Sequence, residues 1–285
     1  MAFNVVRLFS EFFLQHVISN RLFRKVARFL NKHLSLKKEV LVIVGKHKMY
    51  SNSLDRTIAL YLWKFSALEN FEAKIMEKFV KKGMCVLDIG ANLGYYSLIF
   101  ANLVGKNGKV YAFEPEPSNY RLIVKNIKAN NYKNIISFQK AVSDSSGRIK
   151  LYISEEHKGD HRTYDPGDGR HAINIQAITI DNFCGNKIKP DLVKIDTQGT
   201  EFSIIKGMEK TIKRNSEIII TCEFWPSAIA KCGINPEESL KKLQHYGFKV
   251  FLINEKKKTI EPIDIKALMK MCKGNKFANL ILMRM

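Results

Sequence analysis

A chain of 285 residues with 46% hydrophobic and 26% charged side chains has the make-up of one large globular domain with appendages, which excludes the disordered and fibrous classes. Its 47 Lys and Arg against 27 Asp and Glu give a net charge of +20, and division after residues 80 and 223 leaves +8, +5 and +7 in the three parts. The excess sits at the ends and is mostly Lys, whereas a dedicated nucleic-acid groove calls for Arg forks with interleaved aromatics.

From Phe3 to Leu30 apolar residues such as Phe9, Phe12, Phe13, Val17, Leu22, Val26 and Phe29 recur at helical spacing, with Arg7, Arg21, Arg24, Lys25, Arg28 and Lys32 on the polar side. This spacing predicts a basic amphipathic helix. Such a helix either packs on the main domain or attaches to an anionic membrane surface or a partner protein. A strand at Val40–Val44, a polar turn at Tyr50–Asp55 and a helix from about Glu69 to Lys82 follow. We place the division between the extension, 1–68, and the catalytic domain, 69–285, at that helix.

Short β runs then alternate with helical segments: Cys85–Ile89, Gly94–Val104, Val110–Phe113, Pro117–Asn130 and Ile136–Gln139. An insertion at about 148–180 carries two strand-like runs around a Gly-, Asp- and His-rich loop. The alternation resumes with Leu192–Asp196, helices across Glu201–Arg214, Ile218–Glu223, a helix from Pro236 to Tyr246, and strands Lys249–Ile253 and Ala278–Met283. The short Ile265–Cys272 segment leaves little room for a crossover, so the last strand is expected to pair antiparallel. The pattern is a doubly wound α/β sheet. Five widely spaced cysteines without a C-x-x-C predict reduced thiols. No apolar run reaches the length of a membrane span or a signal-peptide core, which predicts a cytoplasmic protein.

The chemistry begins at VLDIGANLGYYS, residues 86–97, where a hydrophobic strand ends in Asp88 and a turn with Gly90 and Gly94 leads into a helix. Such a turn lets a ligand approach the backbone and the helix N-terminus. Glu114 follows at the end of the next strand, where an acid accepts ribose hydroxyls. A nicotinamide fold reads G-x-G-x-x-G, but here Asn92 replaces the middle glycine and no third glycine follows. An acid at the strand end repels a pyrophosphate and holds a cationic aminocarboxylate, which favours S-adenosylmethionine.

At this point the chain resembles the FkbM-type S-adenosylmethionine-dependent methyltransferases. The resemblance rests on DIGANLGYYS at 88–97, FEPEP at 113–117, AVSD at 141–144, TIDNF at 179–183 and DLVKIDTQGTEFSIIKGM at 191–208. It implies a class I (Rossmann-like) methyltransferase fold with a seven-stranded, mostly parallel sheet, and O-methylation of a hydroxyl on a sugar or natural product. Carried over to this sequence, it puts Asp88, Gly90, Asn92 and Gly94 at the methionine part, Glu114 at the ribose, and Val142 and Asp144 beside the adenine. Asp196 ends the fourth strand and either faces the crevice or caps the next helix near Gly199.

For the reaction itself, His161 in KGDHRTYD (158–165) is expected as the base, with Asp160 orienting its ring; the other reading is a surface histidine in a polar loop. Arg162 is expected to hold an acidic group, and Tyr164 or Trp225 to stack on a sugar. Asp196 and Glu223 suggest a further mechanism in which they bind Mg²⁺, although no third oxygen ligand stands out. The leading expectation is a glycan or lipid-linked sugar acceptor, with the protein peripheral at the inner membrane face. An RNA methyltransferase and a non-catalytic cofactor-binding scaffold are the alternatives. The first lacks an Asn/Asp-Pro-Pro-aromatic run after the fourth strand, where the chain reads IDTQGTE.

Overall fold

The computed structural model describes residues 39–52, 71–155 and 157–284. The expected amphipathic helix at 3–32 and the expected division at residue 68 lie outside the described residues. From Leu41 onward the described residues belong to one compact unit.

A hairpin, β1 (Glu39–Val44) and β2 (His47–Asn52), comes first. The second strand occupies part of what the sequence suggested was a polar turn. The next element, α1 (Phe71–Phe79), buries Ala73, Ile75 and Met76. The first parallel half follows: β3 (Cys85–Ile89), α2 (Tyr95–Val104), β4 (Lys109–Phe113), α3 (Pro117–Ala129) and β5 (Ile135–Phe138). Helix α3 begins where Glu116 accepts the Asn119 N–H and Pro117 takes the first turn, a strong local start signal.

The insertion is a small sheet of its own. Strand β6 (Ala141–Val142) lies parallel to β8 (Ala172–Ile178), and β7 (Gly147–Tyr152) lies antiparallel to β8. The chain between β7 and β8 is tied back by mutual backbone hydrogen bonds between Tyr152 and Arg162. A short helix, α4 (Ile180–Cys184), leads to β9 (Leu192–Ile195), α5 (Glu201–Lys206), α6 (Glu209–Arg214) and β10 (Ile219–Phe224). The last elements are α7 (Pro226–Lys231), α8 (Pro236–His245), β11 (Lys249–Asn254), β12 (Thr259–Pro262), α9 (Ile265–Met271) and β13 (Ala278–Met283).

The main sheet runs β12-β11-β13-β10-β9-β3-β4-β5. Strand β13 is antiparallel to both β10 and β11, as the short final connection required. The sheet has eight strands rather than seven, because the Lys-rich turn after β11 returns as the edge strand β12. A four-residue strand that follows three lysines and ends in Pro262 suits an edge, where among the described residues nothing pairs its far side.

The chain winds outward from β3 to β5 in one direction and from β9 to β10 in the other, so β3 and β9 flank the switch point, where ligands bind beyond the strand ends. Leu87, Ile89, Val193 and Ile195 pack on one face of the sheet, and Val86, Val110, Ala112 and Leu192 on the other. Two charged residues interrupt these apolar runs. Asp88 stands in register with Lys194, and Lys194 with Thr221, which puts all three on one face. One pleat further along the same face come Asp196 and Glu223, the latter in register with Asn279.

Candidate active site

The turn after β3 is shaped by sites where a side chain would not fit. Gly90 has φ +78°, and a Cβ there would lie 1.9 Å from the Asp196 carbonyl oxygen. Gly94, at φ +86°, would place a Cβ 2.6 Å from Ile123 as it caps α2. The backbone thus runs hard against the ends of β9 and α3. Within this turn Ser97 donates to Asp88 Oδ2 at 2.5 Å, while Asp88 Oδ1 is buried without a hydrogen-bond partner among the described residues. Asn92, held at φ +52°, likewise leaves its Oδ1 buried and unpartnered.

Glu114 links the two strand ends. Its Oε2 accepts the Asn92 N–H at 2.8 Å and its Oε1 the Glu116 N–H at 2.9 Å. Burial pushes its pKa up to about 7, against the pull of those two N–H groups.

Lys194 is the residue that sequence reasoning missed. It is 4% exposed, donates to Asp196 Oδ2 at 3.0 Å, and lies with Nζ 4.4 Å from the centre of the Tyr96 ring. Burial works against its charge, but Asp196, Glu72 and Asp88 outweigh burial and raise its pKa. A lysine inside the otherwise apolar run LVKI was the available signal, since an unpaired cation is not buried in a parallel strand. Glu72 of α1 was also missed; burial pushes its carboxyl up.

Asp196 accepts from Gln198 Nε2 at 3.2 Å through its second oxygen and does not cap α5. Glu201 serves that end instead, turning back to accept the N–H groups of Thr197 and Gly199. Burial opposes the Asp196 charge and the Lys194 ammonium overrides it, so its pKa is lowered. Glu223 goes the other way. Burial, with Asp196 and Glu201 nearby, pushes its pKa up to about 8, and its Oε2 is buried and unpartnered among the described residues.

These groups surround a cavity of about 1130 Å³ lined by Asp88, Gly90, Asn92, Asp160, Arg162, Asp196, Glu223 and Trp225 among the expected residues. A smaller cavity of about 60 Å³ is lined by Glu114, Val142 and His161, and shares Gly90, Asn92 and Asp196 with the first. Gly94, Asp144 and Tyr164 line neither. Gly94 acts through the backbone of the turn. Asp144 pairs with Lys206 at the surface. Tyr164 packs over Gly199 and its hydroxyl donates to the Gln198 carbonyl, so it does not offer a free face.

His161 is not among the residues lining the larger cavity, where a base would meet the acceptor. Asp160 does not orient its ring either, because Arg162 and Arg170 clamp that carboxylate at 2.7 and 3.2 Å. Arg162 also donates to the Tyr164 hydroxyl and stacks 5.1 Å from the Trp225 ring. Among the described residues no group of three or more His, Cys, Asp and Glu side chains is placed to hold a metal ion. Asp196 already spends both oxygens on Lys194 and Gln198, so the Mg²⁺ expectation finds no geometry here. The five cysteines are free thiols. Among the described residues no helix is long and apolar enough to cross a membrane.

Residues 88–250, more than half of the chain, match the model of the methyltransferase FkbM domain. The chain belongs to the FkbM methyltransferase family. This FkbM-family chain is also 26% identical over 159 residues to the hexuronic acid methyltransferase AglP of Haloferax volcanii, a match covering 55% of this chain and 59% of that protein. It is 38% identical over 136 residues to a protein-L-isoaspartate O-methyltransferase of Methanococcoides burtonii, covering 48% and 59%. Each match therefore spans about three-fifths of the relative's length. Among solved structures, a methyltransferase FkbM from Methylobacillus flagellatus superimposes with a TM-score of 0.44 at 12% identity, over 81% of this chain and 55% of that one.

Proposed function

We propose that the protein is an S-adenosylmethionine-dependent O-methyltransferase whose acceptor is a sugar hydroxyl on a glycan, a lipid-linked saccharide or a related natural product. The observation that carries this reading is the pair of buried oxygens, Asp88 Oδ1 and Asn92 Oδ1, on a glycine turn that lines the same cavity as Glu223 with its Oε2, all three unpartnered among the described residues. The residues fit the cofactor. Around Lys194, the one buried cation among the described residues, stand Asp88, Glu72 and Asp196, a local surplus of acids that favours a positively charged ligand at this end of the pocket. When bound, S-adenosylmethionine supplies an electrophilic methyl group.

In this reading Asp88 and Asn92 hold the aminocarboxylate end, and Glu114 accepts the ribose hydroxyls. Glu223 takes the proton from the acceptor hydroxyl. A base with a pKa near 8 keeps driving force for that transfer while being partly ionised at neutral pH. Trp225, with Arg162 stacked on it, gives the acceptor ring a flat, cationic wall. The hexuronic acid methyltransferase among the relatives supports an acidic sugar as the first acceptor to try. A cytoplasmic location, with residues 3–32 at the inner membrane face, suits a lipid-linked acceptor.

Calorimetry with S-adenosylhomocysteine, followed by transfer of labelled methyl groups to uronate-containing glycans, lipid-linked saccharides and RNA, tests the proposal. Binding plus labelled saccharide is the expected result. Labelling of RNA alone, or no binding, would overturn it.

A further inference from the structure

His161 is left over from the mechanism, and its surroundings assign it a different task. It sits on the excursion between β7 and β8, next to the Tyr152–Arg162 backbone tie. Asn119 of α3 holds the same excursion three residues earlier by donating to the Lys158 carbonyl at 3.0 Å. The ring is therefore anchored on both flanks. Its Nδ1 accepts the Ser154 backbone N–H at 3.1 Å, which requires a lone pair on Nδ1 and puts the proton of the neutral ring on Nε2. That Nε2 is buried and has no hydrogen-bond partner among the described residues.

The neutral ring is the form present at ordinary pH, because burial, the largest influence, lowers the pKa to about 4 even with Glu116 nearby. A buried N–H donor without an acceptor costs free energy that a bound ligand can recover. The cavity it borders points to the acceptor it lacks. Phe113, Pro115, Val142 and Leu151 give that cavity apolar walls suited to a flat heteroaromatic base, with Glu114 at its edge.

We infer that His161 Nε2–H donates a hydrogen bond to a ring nitrogen of the adenine of the bound cofactor, making His161 a nucleoside-recognition residue supplied by the insertion. This rests on the proposed use of S-adenosylmethionine. The neighbours Asp160 and Arg162 line the larger cavity while His161 lines the smaller, so one stretch of chain forms a wall of both.

The test is calorimetry on the full chain with S-adenosylhomocysteine and its 1-deaza, 3-deaza and 7-deaza analogues, each with one ring nitrogen replaced by C–H. The wild type should bind the parent ligand and lose about tenfold in affinity for one of the three. His161→Ala should bind the parent about tenfold more weakly and no longer distinguish that analogue, while His161→Gln, which keeps an N–H donor, recovers part of the loss. Equal binding of all four ligands by the wild type, or unchanged affinity of His161→Ala for the parent, would overturn the inference and leave the cofactor reading intact. No binding of the parent to the wild type would overturn both. The analogue series on the unaltered protein keeps the test sound if His161→Ala folds poorly.

Discussion

Glu223 and Asp196 end adjacent strands on the same sheet face, yet their carboxyls are pushed in opposite directions. Asp196 has the Lys194 ammonium at 3.0 Å; Glu223 has an unpartnered oxygen and other acids for neighbours. That difference lets one acid stay ionised while the other exchanges a proton near neutral pH. We expect kcat to rise with pH through about 8 as Glu223 loses its proton, and Glu223→Gln to lower kcat by about 10²–10⁴-fold and abolish that limb. An unchanged pH profile in the variant would remove Glu223 from the chemistry. Stability should respond with the opposite sign. A carboxyl raised from 4.5 to about 8 contributes stability that is fully present below 4.5 and lost as the pH rises through about 8. Urea melts at pH 5 and pH 9 should therefore show a smaller loss in Glu223→Gln than in the wild type.

At the scale of elements, the glycine turn is held to the β1–β2 hairpin by one side chain. The buried Asn126 of α3 accepts the Tyr50 N–H at 2.6 Å and donates to the carbonyls of Tyr50 at 3.1 Å and Leu93 at 2.8 Å. One turn later Asn130 repeats the clasp on Lys48 at the surface. Asn126→Ala leaves these backbone groups unpaired and should cost about 1–3 kcal/mol in chemical denaturation, with Asn130→Ala costing clearly less. Equal losses in the two variants would mean that solvent replaces the buried clasp. Nothing in the sequence announces this contact, which joins residues 76 apart. By contrast β3, α2, β4 and α3 were legible, because apolar strand runs, a glycine turn and helical periodicity are local signals. Strand β12 was not, since its register comes from β11 and its own four residues, Thr, Ile, Glu and Pro, carry no strand signal. The candidate site divides in the same way. Asp88, Gly90, Asn92 and Glu114 follow from one β-turn-α unit, whereas Glu72 and Lys194 depend on which elements meet across the sheet.

For the molecule as a whole, the open question is where a charge of +20 acts. The first 34 residues hold Arg7, Arg21, Arg24, Lys25, Arg28 and Lys32 against Glu11 alone, interleaved with phenylalanines. Residues 224–285 add another +7, much of it in Lys256, Lys257 and Lys258 near the edge strand β12. The two regions differ in what they offer a membrane. Lysines without aromatics contribute a purely electrostatic attraction of about 1 kcal/mol per charge near an anionic surface, which salt screens within about 10 Å at 0.1 M. Phenylalanines interleaved with Arg add buried apolar area that salt does not weaken. We therefore expect the full chain to bind vesicles containing phosphatidylserine and to retain part of that binding at 0.5 M salt. A chain lacking residues 1–34 should bind only at low salt and keep its affinity for S-adenosylhomocysteine. Cosedimentation and calorimetry on the two proteins measure both quantities. Salt-resistant binding in the shortened chain would move the attachment site to the methyltransferase domain. Loss of S-adenosylhomocysteine affinity on shortening would instead make the segment a structural part of that domain, with no separate role at the membrane.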